Sequence, residues 1–142
     1  MKYSHKLSDA VHVLSYVEIY KDGDLSSNAI ADSIESNPSL VRRLMSSLVQ
    51  GGLLETRPGS VSPKLTWPTN QITLLDIYNA IEIDHNFLHV DEKTNPACVV
   101  GGNIQDALND VYAKVQQDAE ASMQQVKLSS IIDDILIRNA NK

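Results

Sequence analysis

Two adjacent arginines, Arg42 and Arg43, stand in a stretch from Pro38 to Gln50 that contains no acidic residue. A guanidinium presents a planar fork of donors that matches guanine O6 and N7, or two phosphate oxygens. Paired arginines on one helix are therefore candidate nucleic-acid contacts, although an isolated pair can equally be a solvated helix face. Short polar residues surround them: Ser27 and Asn28 begin the preceding apolar-periodic segment, Asn37-Pro38-Ser39 begins this one, and Ser46 lies one turn further along. Hydroxyls, amides and the first backbone N–H groups of a helix are suited to phosphate. Arg57 and Lys64 flank a Pro/Gly/Ser-rich break and supply two more positive charges, fit for phosphate or the minor groove.

Other reactive residues are sparse. Cys98 is the chain's one cysteine, which excludes an intrachain disulfide and a cysteine-only metal set. It lies shortly before a long helical pattern, where a helix N-terminus can lower a thiol pKa, so it is a candidate redox sensor beside its plainer reading as an ordinary half-exposed cysteine. His85 and His89 are four apart but fall beyond the end of a helical pattern, where that spacing fixes no geometry, and no metal is expected. His5 and His12 read as surface or partly buried side chains, and Trp67 as an indole sealing a hairpin against the domain. No nucleophile accompanies Asp133-Asp134 or the other carboxylates, so no catalytic residues, no enzymatic activity and no cofactor are expected.

The net charge of the 142-residue chain is −6, which on its face disfavours nucleic acid. Its distribution does not. Residues 1–37 carry −3, residues 38–67 carry +3 and residues 68–142 carry −6, so the positive segment coincides with Arg42, Arg43, Arg57 and Lys64.

The pattern predicts a mostly α chain with a small β-hairpin. Ser8 is the expected cap of a first helix to about Tyr20, with Val11, Leu14, Val17 and Ile19 on or near one face. A second helix starts after Ser26 or Ser27 and buries Ile30, Ala31 and Ile34. Glu35 to Asn37 forms a turn, and a third helix begins with Asn37 as cap and Pro38 at its first position. Val41, Leu44, Met45 and Leu48 recur at helical spacing until Gly51-Gly52 stops the helix. Leu53–Arg57 and Lys64–Trp67 read as two short strands around a break, the wing of a winged helix-turn-helix. Thr73 caps a fourth helix to about Ile83, and residues 84–102 hold too many breakers for a regular element. Asn103 then opens a helix of about six turns, roughly 35 Å, carrying Ile104, Leu108, Val111, Val115 and Met123 on an apolar stripe expected to dimerise. A short helix over 129–137 follows. The expected organisation is a winged helix-turn-helix over 1–83, a loop over 84–102 as a possible effector region, and dimerisation elements over 103–142. No apolar run reaches membrane-span length and no signal-peptide pattern is present, so a cytoplasmic location is expected.

These segments also resemble a known family. Ser27-Asn-Ala-Ile-Ala, Asn37-Pro-Ser-Leu-Val-Arg-Arg-Leu, Gly51-Gly-Leu-Leu-Glu-Thr-Arg-Pro-Gly and Gln71 through Glu82 are similar to the Rrf2 family of bacterial transcription regulators. The likeness extends over nearly the whole chain and includes Lys127-Leu-Ser-Ser-Ile-Ile132. It implies a homodimer that crosses its long helices, sets two recognition helices in successive major grooves of a pseudo-palindromic operator, and represses by blocking polymerase. Cluster-binding members carry three cysteines before the long helix, where this chain has Cys98 alone, so the resemblance is to the cluster-free, YwnA-like branch, and the effector is unknown. Arg42 stands where cluster-type members often have an acidic residue, so their operator does not transfer. The competing expectation is a winged helix that binds another protein and no specific DNA.

Overall fold

Three helices of this chain start where a side-chain oxygen meets an otherwise unpaired backbone N–H group. A computed structural model describes residues 4–56, 62–82 and 84–142. Its first helix, α1 (Lys6–Ile19), begins a turn earlier than Ser8. Ser4 Oγ accepts from the Lys6 N–H at 3.2 Å, and the earlier start lets Leu7 join the core side of the helix. The face that α1 buries is Ala10, Val13, Leu14 and Val17, with Val11 and Ile19 on its flanks. In α2 (Ser27–Ile34), Ser26 Oγ accepts from the Ala29 N–H, and in α3 (Pro38–Gln50), Asn37 Oδ1 accepts from the Leu40 N–H.

The ends of α2 and α3 use one device. After α3, the Gly52 N–H reaches Val49 O and the Leu53 N–H reaches Leu48 O, with Gly52 at φ +78°. This is the paired-bond ending in which a left-handed residue lets the chain turn back on the helix, and Leu48 and Leu53 are both buried beside it. After α2 the Ser36 N–H reaches Ala31 O, and the left-handed residue is Glu35 at φ 59°. A side chain there costs about 1 kcal/mol.

The strands β1 (Leu54–Glu55) and β2 (Lys64–Leu65) pair antiparallel, Leu54 opposite Leu65 and Glu55 opposite Lys64. Residues 57–61, including Arg57, lie outside the described residues. In the hairpin Leu54 and Pro63 are buried, while Trp67 stays half exposed on a groove wall with Val17 and Glu18 of α1 and Lys21 just beyond that helix. The hairpin is held to the core by Leu54, with Leu65 packed against it, and not by Trp67 as expected. A 3₁₀ turn, Thr69–Gln71, leads to α4 (Leu74–Ile81), where Thr73 and Asp76 form a reciprocal cap at 2.9 and 3.0 Å. Residue 83 lies outside the described residues, and 84–102 contains no regular element. Then come α5 (Ile104–Gln124) and α6 (Leu128–Ala140).

The long helix does not leave the first part of the chain for good. At its end the Leu74 N–H bonds Val126 O at 2.9 Å and the Leu128 N–H bonds Ile72 O at 2.8 Å. These bonds place Leu128 and Ile132 of α6 in the same core as Val13, Leu14, Ile30, Val41, Leu48, Ile72 and Ile77. Each such buried aliphatic side chain contributes about 1.5–3 kcal/mol. This is a mostly α winged-helix fold with α6 folded back onto it. None of its described helices is long and apolar enough to cross a membrane.

Candidate nucleic-acid interface

The reading surface is built on α2, its three-residue turn and α3. Val41, Leu44 and Leu48 are buried, which fixes the rotation of α3 and turns Ser39, Arg42, Arg43, Ser46 and Gln50 to solvent. Ser39, Arg43, Ser46 and Gln50 follow one stripe opposite the buried one. Arg42 leans towards α2, where its Nη1 donates to Ser27 Oγ at 3.2 Å, and its Nη2 donates to Ser39 Oγ at 3.3 Å. Arg43 lies on the other flank, on a groove wall with Lys6, Ser47 and Glu82.

At the start of α3, Pro38 has no N–H and the Leu40 N–H is taken by Asn37. The Ser39 N–H is left outside the intrahelical ladder beside the Arg42 guanidinium, an arrangement suited to a phosphate oxygen. Asn28 is exposed on the first turn of α2, next to Ser27. Sequence reasoning missed the Arg42–Ser27 tie, since hydrogen bonds between side chains fifteen residues apart leave no periodic signal. In the wing, Lys64 is exposed but sits opposite Glu55 in the ladder, which tempers its positive field.

The apolar stripe of α5 divides. Val111 is 55% exposed and Val115 43%, whereas Ile104 and Leu108 are half-buried. Met123 departs from expectation: at 8% exposure it is already covered within its own chain, because α5 ends where the chain is clamped to Ile72–Leu74. On α6, Ile135 and Leu136, which the sequence placed among the apolar positions of this helix, are exposed, as is Ile137 beside them.

Between α4 and α5 the loop is pinned by aromatic packing. Phe87 stacks on Tyr78 at 5.0 Å, His85 meets the same ring edge-on at 5.9 Å, and the Phe87 N–H donates to Gln116 Oε1 at 2.9 Å. Burial pushes the Tyr78 phenol upward from its ordinary pKa. His89 pairs with Asp84 at 3.0 Å. Cys98 is exposed in a turn where the Cys98 N–H reaches Asn95 O and the Gly102 N–H reaches Cys98 O. Its thiol is held below the ordinary range by the backbone N–H groups of Gly101 and then Val100, in the turn that precedes α5.

A family model described as an iron-dependent transcriptional regulator, Rrf2, matches residues 3–134. The chain belongs to the Rrf2 family. It is 33% identical over 130 residues to YwnA of Bacillus subtilis strain 168, provisionally named an HTH-type transcriptional regulator, covering 92% of this chain and 96% of the relative. A crystal structure of a protein provisionally described as DNA-binding shares 32% identity at a TM-score of 0.72, covering 89% of this chain and 98% of the other. CymR, the global cysteine regulator of B. subtilis, shares the fold at a TM-score of 0.67 and 18% identity, over 94% and 97% of the two chains. The YwnA-like resemblance read from the sequence agrees with the first of these.

The iron in the Rrf2 description does not find its ligands here. Cysteine-held iron–sulfur clusters take several thiolates, and residues 84–102 offer Cys98 alone. Among the described residues, no three His, Cys, Asp or Glu side chains converge as a metal set.

Proposed function

We propose that this Rrf2-family regulator binds a two-fold-symmetric DNA operator as a homodimer and represses transcription by blocking polymerase. Residues 1–83 form the DNA-reading unit, 84–102 the link, and 103–142 the dimerising part, in a protein acting in the cytoplasm. The observation that carries the reading is the acid-free outward face of α3, with Ser39, Arg42, Arg43 and Ser46 exposed and Arg42 braced on Ser27. A helix so furnished fits the major groove, with arginines on base edges and the start of α3 on phosphate. Asn37 and Pro38 set up that start, Asn28 adds a polar contact from the first turn of α2, and Arg57 and Lys64 add backbone contacts from the wing. Val111 and Val115, flanked by Ile104 and Leu108, form the dimer seam; Met123 contributes by holding the base of α5 in place.

The test is selection of bound sequences from a random DNA pool with the purified chain, run with Cys98 reduced and oxidised. Enrichment of a two-fold-symmetric site whose affinity falls steeply with salt is the expected result. Absence of enrichment at low salt in either state overturns it in favour of a protein-binding winged helix.

A further inference from the structure

A second feature lies on the far side of α1, between that helix and the C-terminal half of α6. There a groove of about 650 Å³, within the range that small ligands occupy, is walled by Val11, Tyr16 and Ile19 of α1, by Tyr20 at its end, and by Ile135 and Leu136 of α6. Tyr16 and Tyr20 pack together with ring centroids 4.6 Å apart and planes tilted by 39°, presenting aromatic surface to the space.

Ser15 also lines this groove, and its situation is unusual. The residue is only 4% exposed, yet its Oγ has no hydrogen-bond partner. A helical serine ordinarily relieves such burial by donating to the carbonyl one turn back. A buried hydroxyl left unpaired is unfavourable, so a polar atom arriving in the groove has a standing donor to meet.

The charge of the lining selects the visitor. Although the chain carries a net charge of −6, no aspartate or glutamate lines the groove, whereas His12, Arg138 and Lys142 do. Arg138 Nε donates to Asp134 Oδ2 at 2.8 Å, one turn back on α6, which orders the guanidinium and leaves it further donors. We propose that this groove binds a small aromatic carboxylate, its ring against Tyr16, Ile19 and Leu136 and its carboxylate shared by Arg138 and the Ser15 hydroxyl. A cation would find no carboxylate in the lining, Asp134 beside it being bonded to Arg138. A bare inorganic anion would leave the apolar walls wet.

The position gives such a ligand a consequence. His12 Nε2 and Ser33 Oγ lie 2.7 Å apart at the groove, and Ser33 belongs to α2, the helix that precedes α3 in the reading surface. A molecule wedged between α1 and α6 therefore touches the element against which α3 is set. Only this regulatory consequence rests on the DNA-binding reading; the binding site itself does not.

The experiment is titration calorimetry on the full chain without DNA, using indole-3-acetate as probe and indole-3-acetamide as its neutral counterpart. Saturable binding of one acid per chain is expected, with the amide and the Arg138→Gln variant each at least about tenfold weaker. Ser15→Ala is expected to weaken binding while raising the melting temperature of the ligand-free protein, a combination that a folding defect cannot produce. Equal affinity for acid and amide, or no saturable binding below about 10 mM, overturns the proposal. So does a Leu136→Glu variant that turns a dimer into a monomer, since a second copy of the chain would then be what covers the groove. Selected-site DNA binding with no ligand binding would sink this inference and leave the regulator reading intact.

Discussion

Arg42 and Ser27 join the two helices of the reading unit: the guanidinium on α3 donates through Nη1 to the hydroxyl at the first turn of α2, at 3.2 Å. The contact is exposed, so its net worth to folding is small, but it holds the arginine at the junction of the two helices before any DNA arrives. Arg43 has no such tie to α2 and stands with Ser39, Ser46 and Gln50 on the outward stripe. Each of Arg42→Ala and Arg43→Ala is expected to cost about 1–3 kcal/mol of affinity for the selected operator, with the melting temperature within about 2 °C of the parent. Ser27→Ala should lose a smaller factor, through reduced bracing of Arg42. Fluorescence anisotropy on the selected site and on random duplexes checks this. An equal loss on both duplexes would assign the arginine concerned to phosphate.

Glu35 offers a test confined to the fold. Its φ of 59° is left-handed, and it ends α2 in the place that Gly52 occupies after α3. Glu35→Gly removes the Cβ strain at the expense of extra chain entropy in the unfolded state, so a net gain of up to about 1 kcal/mol is expected. Urea unfolding should show a higher midpoint with an unchanged slope. A lower midpoint would mean that the Glu35 side chain contributes more to the turn than its backbone strain takes away.

These two turns show where the sequence could be read and where it could not. Asn37-Pro38 and Gly51-Gly52 bracket α3 because capping oxygens, a proline without an N–H and a left-handed glycine are local requirements printed in the residue types. Glu35 does the same work after α2 with a residue that carries no such signal. Ser8 had the type of a cap but lies inside α1, which starts a turn earlier at His5 without a side-chain cap and brings Leu7 to the core. Met123 matched the helical period of Val111 and Val115, yet periodicity cannot tell a stripe that seeks a partner from one already covered. The bonds from Ile72 and Leu74 to Val126 and Leu128, which decide that question, join residues more than fifty positions apart.

Val111 and Val115 are the exposed pair on α5, one turn apart on the same face. Val111→Glu is expected to shift the chain from dimer to monomer in light scattering at micromolar concentration, because a glutamate in an apolar seam must be desolvated twice in a symmetric interface. The helical content should stay near that of the parent, since this position is not part of the core. Operator affinity should fall with it, two linked reading units being needed for tight binding. A variant that remains a dimer would move the interface to the exposed Ile135 to Ile137 of α6.

The Cys98 thiolate is favoured by the N–H groups of Gly101 and Val100, so its pKa lies below the ordinary thiol value. Because the folded value is the lower one, the small stabilisation it brings is present above the unfolded thiol's pKa and is lost as pH falls through the folded value. The sharper consequence is reactivity, since the thiolate is the nucleophile. The rate of alkylation by iodoacetamide should rise with pH to a midpoint below that of a short peptide containing the same cysteine. At Gly101 an added Cβ would overlap the Asn95 carbonyl, and the Thr94 hydroxyl bonds the Gly101 carbonyl at 2.6 Å, so Gly101→Ala must open this turn. That variant is expected to return the alkylation midpoint to the peptide value while leaving the melting temperature nearly unchanged, the turn being exposed. A midpoint that stays low in Gly101→Ala would show that the N–H groups of this turn are not what holds the thiol pKa down, and would return the cause to the N-terminus of α5.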